Sequence, residues 1–287
     1  MPRVTAAPSA RRKPKLGQHF LTDSGAAEKI VEALGDVSQR TVLEIGPGRG
    51  VLTSLLAKRT RRLIAIELDR VLAAQLRMKF GQFPNLEIIE GDALAIEFST
   101  LFGPRPGSTR PGMELVLEPV RVVGNIPYYI TSDLLLRLFA NRHYLESMVL
   151  MVQKEVADRL AATPGNRDYG LLSATAQLYA DVETLFTLPP GAFSPPPKVR
   201  SAAVRLTMGT RLQSLGVPER EFLAFLKFSF AQKRKTLWNN LKAHYDQSTL
   251  KAALEKARIK PTVRAEALSL EKSAELFQVL SRVSTRD

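Results

Sequence analysis

Short apolar runs alternate with helix-periodic segments over the first two-thirds of the chain. Apolar runs of four to eight residues are typical of buried strands, and apolar residues that recur every three or four positions are typical of helices. The runs that predict strands are 41–45, 63–67, 86–90, 121–124, 148–152, 183–188 and 199–206. The segments that predict helices are 25–34, 51–58, 70–80, 132–139, 154–160 and 169–179. This alternation predicts an α/β fold built on a parallel sheet.

The pattern changes near residues 208–216, where a domain boundary is expected. Beyond it only helical periodicity remains, over 218–230, 235–243, 248–256 and 263–283, with the last segment divided near 268–269. The predicted organisation is a flexible basic arm at 1–15, an α/β domain at 16–211 and a helical domain at 212–287. A turn-rich stretch at 103–119, in which 113–117 could add a short strand, is expected to be a mobile excursion.

A glycine-rich turn follows the first predicted strand. Gly46, Gly48 and Gly50 stand between the apolar run and a helical segment. Glycine has no side chain and adopts positive φ readily, so such a turn can approach a ligand closely. The spacing differs from the dinucleotide fingerprint, because Val51 stands where a third glycine of G-x-G-x-x-G is needed.

Carboxylates end the second and third predicted strands. Glu67 lies about 20 residues past the glycine turn, where an acid in this architecture binds ribose hydroxyls. Asp92 follows the third strand. Because carboxyl ends of parallel strands meet at one edge of a sheet, this ordered set predicts an adenosine-containing cofactor along that edge.

The charge balance indicates what kind of partner the protein binds. The chain holds 41 Lys and Arg against 28 Asp and Glu, a formal net charge of +13. A solvated surface would explain part of this excess, but a polyanionic partner explains it better, and nucleic acid is favoured over a membrane surface. Candidate phosphate contacts are Arg11, Arg12, Lys13, Lys198, Lys233, Arg234 and Lys235.

Composition also excludes some chemistry. The chain has no cysteine, and its three histidines are scattered, so disulfides are excluded and a zinc site is improbable. No apolar run approaches the ~20 residues of a membrane span, and the N-terminus has no apolar core of a secretory signal. A cytosolic protein without a bound metal is expected.

A second cluster of chemistry follows the fourth predicted strand. Asn125 offers an amide donor and a carbonyl acceptor, Pro127 stiffens the turn, and Tyr128 adds an aromatic face. Further along, three prolines at 195–197 predict a stiff loop that holds Phe193 in place. From the residues alone, Phe193 is equally well interpreted as part of the core.

Six motifs together resemble one family. They are 15–21 (Lys-Leu-Gly-Gln-His-Phe-Leu), 43–50, 125–129 (Asn-Ile-Pro-Tyr-Tyr), 168–173, 193–199 (Phe-Ser-Pro-Pro-Pro-Lys-Val) and 232–237. Over about residues 14–280 the chain resembles the S-adenosylmethionine-dependent ribosomal RNA adenine N6,N6-dimethyltransferases. The resemblance implies a Rossmann-like class I methyltransferase with a seven-stranded, mostly parallel sheet and a small C-terminal all-α domain. It also implies dimethylation of two adjacent adenines in a hairpin near the 3′ end of small-subunit (16S) rRNA, late in subunit assembly.

The resemblance further implies roles for individual residues. The Asn125 side chain and the Ile126 carbonyl would accept both hydrogens of an adenine amine, Tyr128 would stack on the base, and Phe193 would close its other side. The base must leave its stack to reach such a pocket. The implied cofactor contacts are His19, Leu21, Gly46, Gly48, Glu67, Asp92 and Asn125. A monomer is expected.

Two departures from the family pattern stand out, and three alternatives stay open. The excursion at 103–119 is long for the family, and Arg200 stands where an Asp is usual. The first alternative is the related large-subunit rRNA adenine methyltransferase of the macrolide-resistance type, although the basic segment 233–237 favours the small-subunit branch. The others are a non-catalytic RNA-binding assembly factor and a DNA N6-adenine methyltransferase.

Overall fold

A computed structural model describes residues 18–102 and 118–284 and shows a seven-stranded sheet flanked by helices. The strands, in chain order, are β1 (Phe20–Leu21), β2 (Thr41–Ile45), β3 (Arg62–Glu67), β4 (Leu86–Glu90), β5 (Val120–Asn125), β6 (Leu145–Gln153), β7 (Ala180–Leu188), β8 (Phe193–Ser194) and β9 (Ser201–Met208). Seven of them form the sheet, in the order β4-β3-β2-β5-β6-β9-β7. Within the seven-stranded sheet β9 alone runs opposite to the other strands, and β1 and β8 form a separate antiparallel pair. The predicted class of fold is confirmed.

Helices connect the strands and make up the C-terminal region. They are α1 (Ser24–Glu32), α2 (Val51–Leu56), α3 (Arg70–Phe80), α4 (Phe98–Phe102), α5 (Thr131–Ala140), α6 (Lys154–Ala161), α7 (Leu171–Tyr179), α8 (Arg211–Leu215), α9 (Glu219–Ser229), α10 (Leu237–Leu241), α11 (Gln247–Lys256) and α12 (Leu270–Ser284). Aspartates cap three of them: Asp23 accepts from the Ala26 amide, Asp69 accepts from two amides at the start of α3, and Asp246 accepts from the Thr249 amide of α11.

Side chains alternate between the two faces of the sheet, and each face is buried. Leu43 and Ile64 pack in one core cluster, whereas Val42 and Leu63 pack in the other. Burial on both faces explains why the strand sequences are continuous apolar runs. The first cluster also contains side chains of the C-terminal helices, such as Phe222 of α9, so the helical region packs on the same core as the sheet.

Several element boundaries differ from those predicted, for local reasons. The predicted helix 235–243 is only α10, because the Thr236 side chain caps it by accepting from the Asn239 amide. The first part of the predicted segment 263–283 is a 3-10 turn at Ala265–Ala267, and α12 begins after Ser269, whose hydroxyl accepts from the Lys272 amide. Short α8 lies inside the predicted boundary at 208–216.

Some predictions lie outside the described residues. These are the basic arm with Arg11, Arg12 and Lys13, the strand at 113–117, and most of the excursion at 103–119. Within the described part of the chain, no helix is both long and apolar enough to cross a bilayer, and no cluster of three metal-ligating side chains occurs there.

Candidate active site

A continuous cleft follows the carboxyl ends of β2, β3, β4 and β5. Two adjoining pockets form it, and they share Gln18, Gly46, Glu67 and Pro127. One part is lined by the predicted acceptor motif with His19 and Phe20. The other part is lined by Leu68, Asp92, Ala93, Tyr129 and Ile130, among others. The cleft therefore joins strand-end residues that are far apart in the chain.

The glycine turn is shaped by its neighbours as well as by its backbone. Gly48 has φ of +58°, and a Cβ there would lie 2.8 Å from Cδ1 of Phe20. A side chain at this position would displace the Phe20 ring from the wall of the cleft. Phe20 also carries the Arg49 guanidinium over its ring, 4.6 Å from the centroid. A residue other than glycine at 48 is thus excluded both by the positive φ and by the closeness of the Phe20 ring.

Glu67 is held at the centre of the cleft by backbone donors. Its carboxylate accepts from the Gly48 amide at Oε2 and from the Asp69 amide at Oε1, each at 2.9 Å. The residue is only 4% exposed, and burial raises its pKa while these hydrogen bonds lower it. A carboxylate offers about four lone-pair sites. Glu67 therefore keeps acceptor capacity toward the cleft.

A second carboxyl group lies in the sheet beneath the turn. Glu44, which is 1% exposed, accepts a hydrogen bond of 2.7 Å from the Thr53 hydroxyl of α2. Burial raises the pKa of Glu44 to about 7, and the nearby Glu67 charge adds to that rise. Nothing in the sequence distinguishes Glu44 from an ordinary strand residue.

Asn125 is oriented by the backbone of the N-terminal segment. Its Nδ2 donates to the His19 carbonyl at 2.7 Å. Because a carbonyl can only accept, the side-chain oxygen is the atom left for another partner, and no described residue donates to it. Asn125 ends β5 and lines the cleft. Its position and its amide orientation both suit an acceptor of amine hydrogens.

Tyr128 is held beside Asn125 by two contacts. Its hydroxyl lies 2.8 Å from the Ser201 hydroxyl of β9. Its ring centroid is 5.7 Å from that of His19. The His19 ring is itself held, since its Nδ1 donates to the Pro195 carbonyl at 2.8 Å. Residues near 195–201 thus support the acceptor motif from a distant part of the chain.

Two predicted site residues lie next to the cleft without lining it. Leu21 and Phe193 pair across the small sheet of β1 and β8. Their side chains, 5% and 4% exposed, belong to the second core cluster. The structure therefore places Phe193 in the core, and its stacking on a base stays a prediction.

The predicted basic residues of the described chain are exposed. Lys198 lies in the loop before β9, and Lys233, Arg234 and Lys235 lie between α9 and α10. None of the four has a salt-bridge partner among the described residues. Arg200, the departure from the family pattern, instead donates to the Thr187 hydroxyl of β7 at 3.0 Å.

Sequence reasoning missed several residues of the site. Phe20 and Gln18 line the cleft although only their neighbours His19 and Leu21 were predicted. Leu68 is 47% exposed yet apolar, directly after Glu67, and an apolar residue between the acids Glu67 and Asp69 was a usable signal in the sequence. Ser201 gave no signal, because its partner is 73 residues away in the chain.

Comparison with known proteins gives one family. The model of the ribosomal RNA adenine dimethylase family matches residues 9–282. A protein of Koribacter versatilis named ribosomal RNA small subunit methyltransferase A is 55% identical over 98% of this chain and all of that one. A protein of the same name from Acidobacterium capsulatum is 53% identical over 97% of this chain and 94% of its own length.

Solved structures agree in fold. A dimethyladenosine transferase from Plasmodium falciparum superposes with a TM-score of 0.74 at 27% identity, covering 93% of this chain and 98% of that one. A 23S rRNA methyltransferase, ErmE, superposes with a TM-score of 0.67 at 28% identity, covering 91% and 99%. The likeness extends over the C-terminal helices as well as the sheet.

Proposed function

The chain belongs to the ribosomal RNA adenine dimethylase family, and from this premise we propose that it transfers methyl groups from S-adenosylmethionine to N6 of adenines in small-subunit (16S) rRNA. The proposed targets are two adjacent adenines of a hairpin loop near the 3′ end, modified late in assembly of the subunit in the cytoplasm. The observation that carries the proposal is the orientation of Asn125, whose oxygen is left to accept from an amine at the end of the cleft.

The residues of the cleft fit the proposed cofactor. Glu67 keeps acceptor capacity for ribose hydroxyls beyond its two backbone donors. Leu68, Ala93 and Ile130 form an apolar wall next to Asp92, which suits an adenine ring with a polar edge. His19, Gly46 and Gly48 line the other end. When bound, S-adenosylmethionine supplies a methyl group already activated on a sulfonium sulfur.

The acceptor motif would then prepare the target base. The lone pair of an adenine amine is delocalised into the ring, so the amine is a poor nucleophile. The Asn125 oxygen and the Ile126 carbonyl would accept its two hydrogens and favour a pyramidal nitrogen. Tyr128 would stack on the extruded base. Because the reaction then depends mainly on position, no strong general base is required.

Basic residues would hold the RNA around that base. Lys198, Lys233, Arg234 and Lys235 are exposed cations without salt-bridge partners in the described chain, and they suit RNA phosphates. We assign the region 212–287 to RNA binding on this ground, and Arg11, Arg12 and Lys13 of the terminal arm are proposed to add to it. We propose that the protein acts as a monomer without a bound metal.

Methyl transfer from labelled S-adenosylmethionine to isolated ribosomal subunits tests the proposal. Small subunits that lack the modification, large subunits and DNA are offered separately, and product nucleosides are identified by mass spectrometry. We expect N6,N6-dimethyladenosine at two neighbouring positions of the small-subunit RNA. Label on large subunits or DNA alone would establish a different substrate. Binding to competent small subunits without transfer would support a non-catalytic assembly factor.

A further inference from the structure

Tyr128 lies in a segment that cannot set the direction of its ring by itself. The residue begins a 3-10 turn of only three residues, Tyr128–Ile130, directly after Pro127. Neither an α-helix nor a strand ladder includes its backbone, and the side chain lines an open cleft. The direction of the ring must therefore be set by side-chain contacts. A group proposed to stack on a base needs a fixed direction, because a misoriented base is not in line for transfer.

The hydroxyl of Ser201 supplies such a contact from a rigid element. Ser201 opens β9 and is in register with Gln153 of β6 on one side and Leu188 of β7 on the other. It is 1% exposed, and its hydroxyl lies 2.8 Å from that of Tyr128. No other described group shares a hydrogen bond with this hydroxyl. A buried hydroxyl is rarely left without a partner, so this pair is a constraint on both residues.

A second support acts on the same ring from the other segment of the chain. His19 lies 5.7 Å from the Tyr128 ring, centroid to centroid, and is tied to the Pro195 carbonyl. Tyr128 is thus supported directly by Ser201 at the start of β9, and through His19 by Pro195 in the loop from β8 to β9. These contacts reach the acceptor motif even though the ring of Phe193 is in the core.

We propose that Ser201 is a positioning residue for methyl transfer, which fixes the direction of the long axis of the Tyr128 ring through the hydrogen bond between the two hydroxyls. The inference rests on the proposed function, in which Tyr128 stacks on the target base. Ser201 itself touches neither base nor cofactor in this scheme. Its effect passes through Tyr128, so removing either hydroxyl removes the same constraint.

A double-mutant cycle in the full-length protein tests this inference. The variants are Ser201→Ala, Tyr128→Phe and the double variant, assayed for methyl transfer to unmodified small subunits. We expect each single change to lower kcat by about three- to tenfold, the range for one lost hydrogen bond. The double variant should be no slower than the slower single variant, with cofactor affinity unchanged in all three. Additive losses, or a wild-type rate for Ser201→Ala, overturn the proposal.

A matched control and a spectroscopic readout separate positioning from general damage. Ser147→Ala removes another buried serine hydroxyl, on β6, and should leave kcat unchanged. With tyrosine labelled with carbon-13 and nitrogen-15, the Tyr128 resonances are those of the one tyrosine of six that Tyr128→Phe removes. Averaging of the three-bond couplings that report its χ1 angle is expected in Ser201→Ala, and couplings unchanged from wild type count against the inference. This readout holds even if wild-type protein transfers no methyl to small subunits, a result that would refute only the proposed function.

Discussion

The orientation of the Asn125 side-chain amide is set by His19, a residue 106 positions earlier in the chain. The His19 carbonyl can only accept, so it selects which end of the Asn125 amide faces it. An asparagine at a strand end is otherwise free to present either its donor or its acceptor. The tertiary contact thereby turns an ambiguous side chain into an acceptor for amine hydrogens.

Removing this acceptor should stop the reaction without unfolding the protein. We expect Asn125→Ala to lower the single-turnover rate of methyl transfer at least about 100-fold, the scale of losing one preorganised polar contact in an active site. Binding to small subunits, measured by co-sedimentation, should be nearly unchanged. Asn141→Ala is the control, because the side-chain amide of Asn141 hydrogen-bonds, among the described residues, only to the Arg137 carbonyl at the end of α5. A near-normal rate for Asn125→Ala would refute its role.

The raised pKa of Glu44 predicts that the stability of the protein depends on pH. An acid whose pKa is raised by folding binds its proton more tightly in the folded state, so stability falls as pH rises from the unfolded to the folded pKa. For Glu44 that window runs from its ordinary value of 4.5 to about 7. Glu44→Gln keeps an acceptor for the Thr53 hydroxyl and should remove this loss, which is on the order of 3 kcal/mol at most.

Urea unfolding at pH 5 and pH 8 measures this effect. We expect Glu44→Gln to gain stability relative to wild type at pH 8 and to gain little at pH 5. Glu28→Gln changes an exposed glutamate of α1 and should follow wild type at both values. If Glu44→Gln and wild type lose the same free energy of unfolding between the two pH values, another group titrates.

Among the elements, the two-residue strands β1 and β8 have the largest effect on the site for their size. Their pairing aligns Phe20 with Ser194 and Leu21 with Phe193. It brings the N-terminal motif and the proline-rich loop together at the cleft. Strands this short give no alternating pattern, so the sequence predicted the motif at 15–21 and a stiff loop separately but not their contact.

Phe193 offers a test that separates a core role from a stacking role. Phe193→Ala should destabilise the protein by about 3 kcal/mol, because a buried aromatic side chain is removed from the core. Phe193→Leu keeps apolar volume and should keep most of that stability. If the ring also stacks on the target base, Phe193→Leu transfers methyl more slowly than wild type while binding cofactor normally. An unchanged rate for Phe193→Leu assigns Phe193 to the core alone.

At the scale of the whole molecule, the charge excess and the shared core decide how RNA meets the cleft. The segment between α9 and α10 carries three consecutive cations, and Asn240 clamps it by donating to the carbonyls of Ser229 and Gln232 at 2.7 and 3.2 Å. Packing and ion pairs join the helical region to the rest of the protein. One such ion pair links Arg142, in the turn before β6, to Glu219 of α9 at 2.6 Å. The basic segment is thus held in a set relation to the site.

Neutralising that segment should weaken binding to RNA more than removing the same number of charges elsewhere on the surface. We expect replacement of Lys233, Arg234 and Lys235 by Ala to lower affinity for small subunits and to reduce the slope of log K against log salt by about 2 to 3. The matched control replaces Lys29 of α1 and Lys58 and Arg59 after α2, exposed cations outside the region assigned to RNA binding, and removes the same charge. Equal losses in both variants would mean that net charge alone drives binding.

The periodicity of the sequence was sufficient to predict the class of fold and the order of its elements, since strands and helices longer than five residues impose their pattern locally. It also predicted the strand-end residues Gly46, Glu67, Asp92 and Asn125. The two-residue strands β1 and β8 and the five-residue helices α4 and α8 were missed, and the limits of α10 were predicted too wide because they depend on single hydrogen bonds such as that of Thr236.

By itself the sequence determined which residues stand at the carboxyl edge of the sheet and that the chain carries a large positive charge, because these follow from local pattern and composition. Only the tertiary structure decided that His19 orients Asn125, that Ser201 holds Tyr128, and that Phe193 packs in the core. The first two are contacts between residues 106 and 73 positions apart, and the geometry of all three depends on how the whole sheet and its two core layers pack.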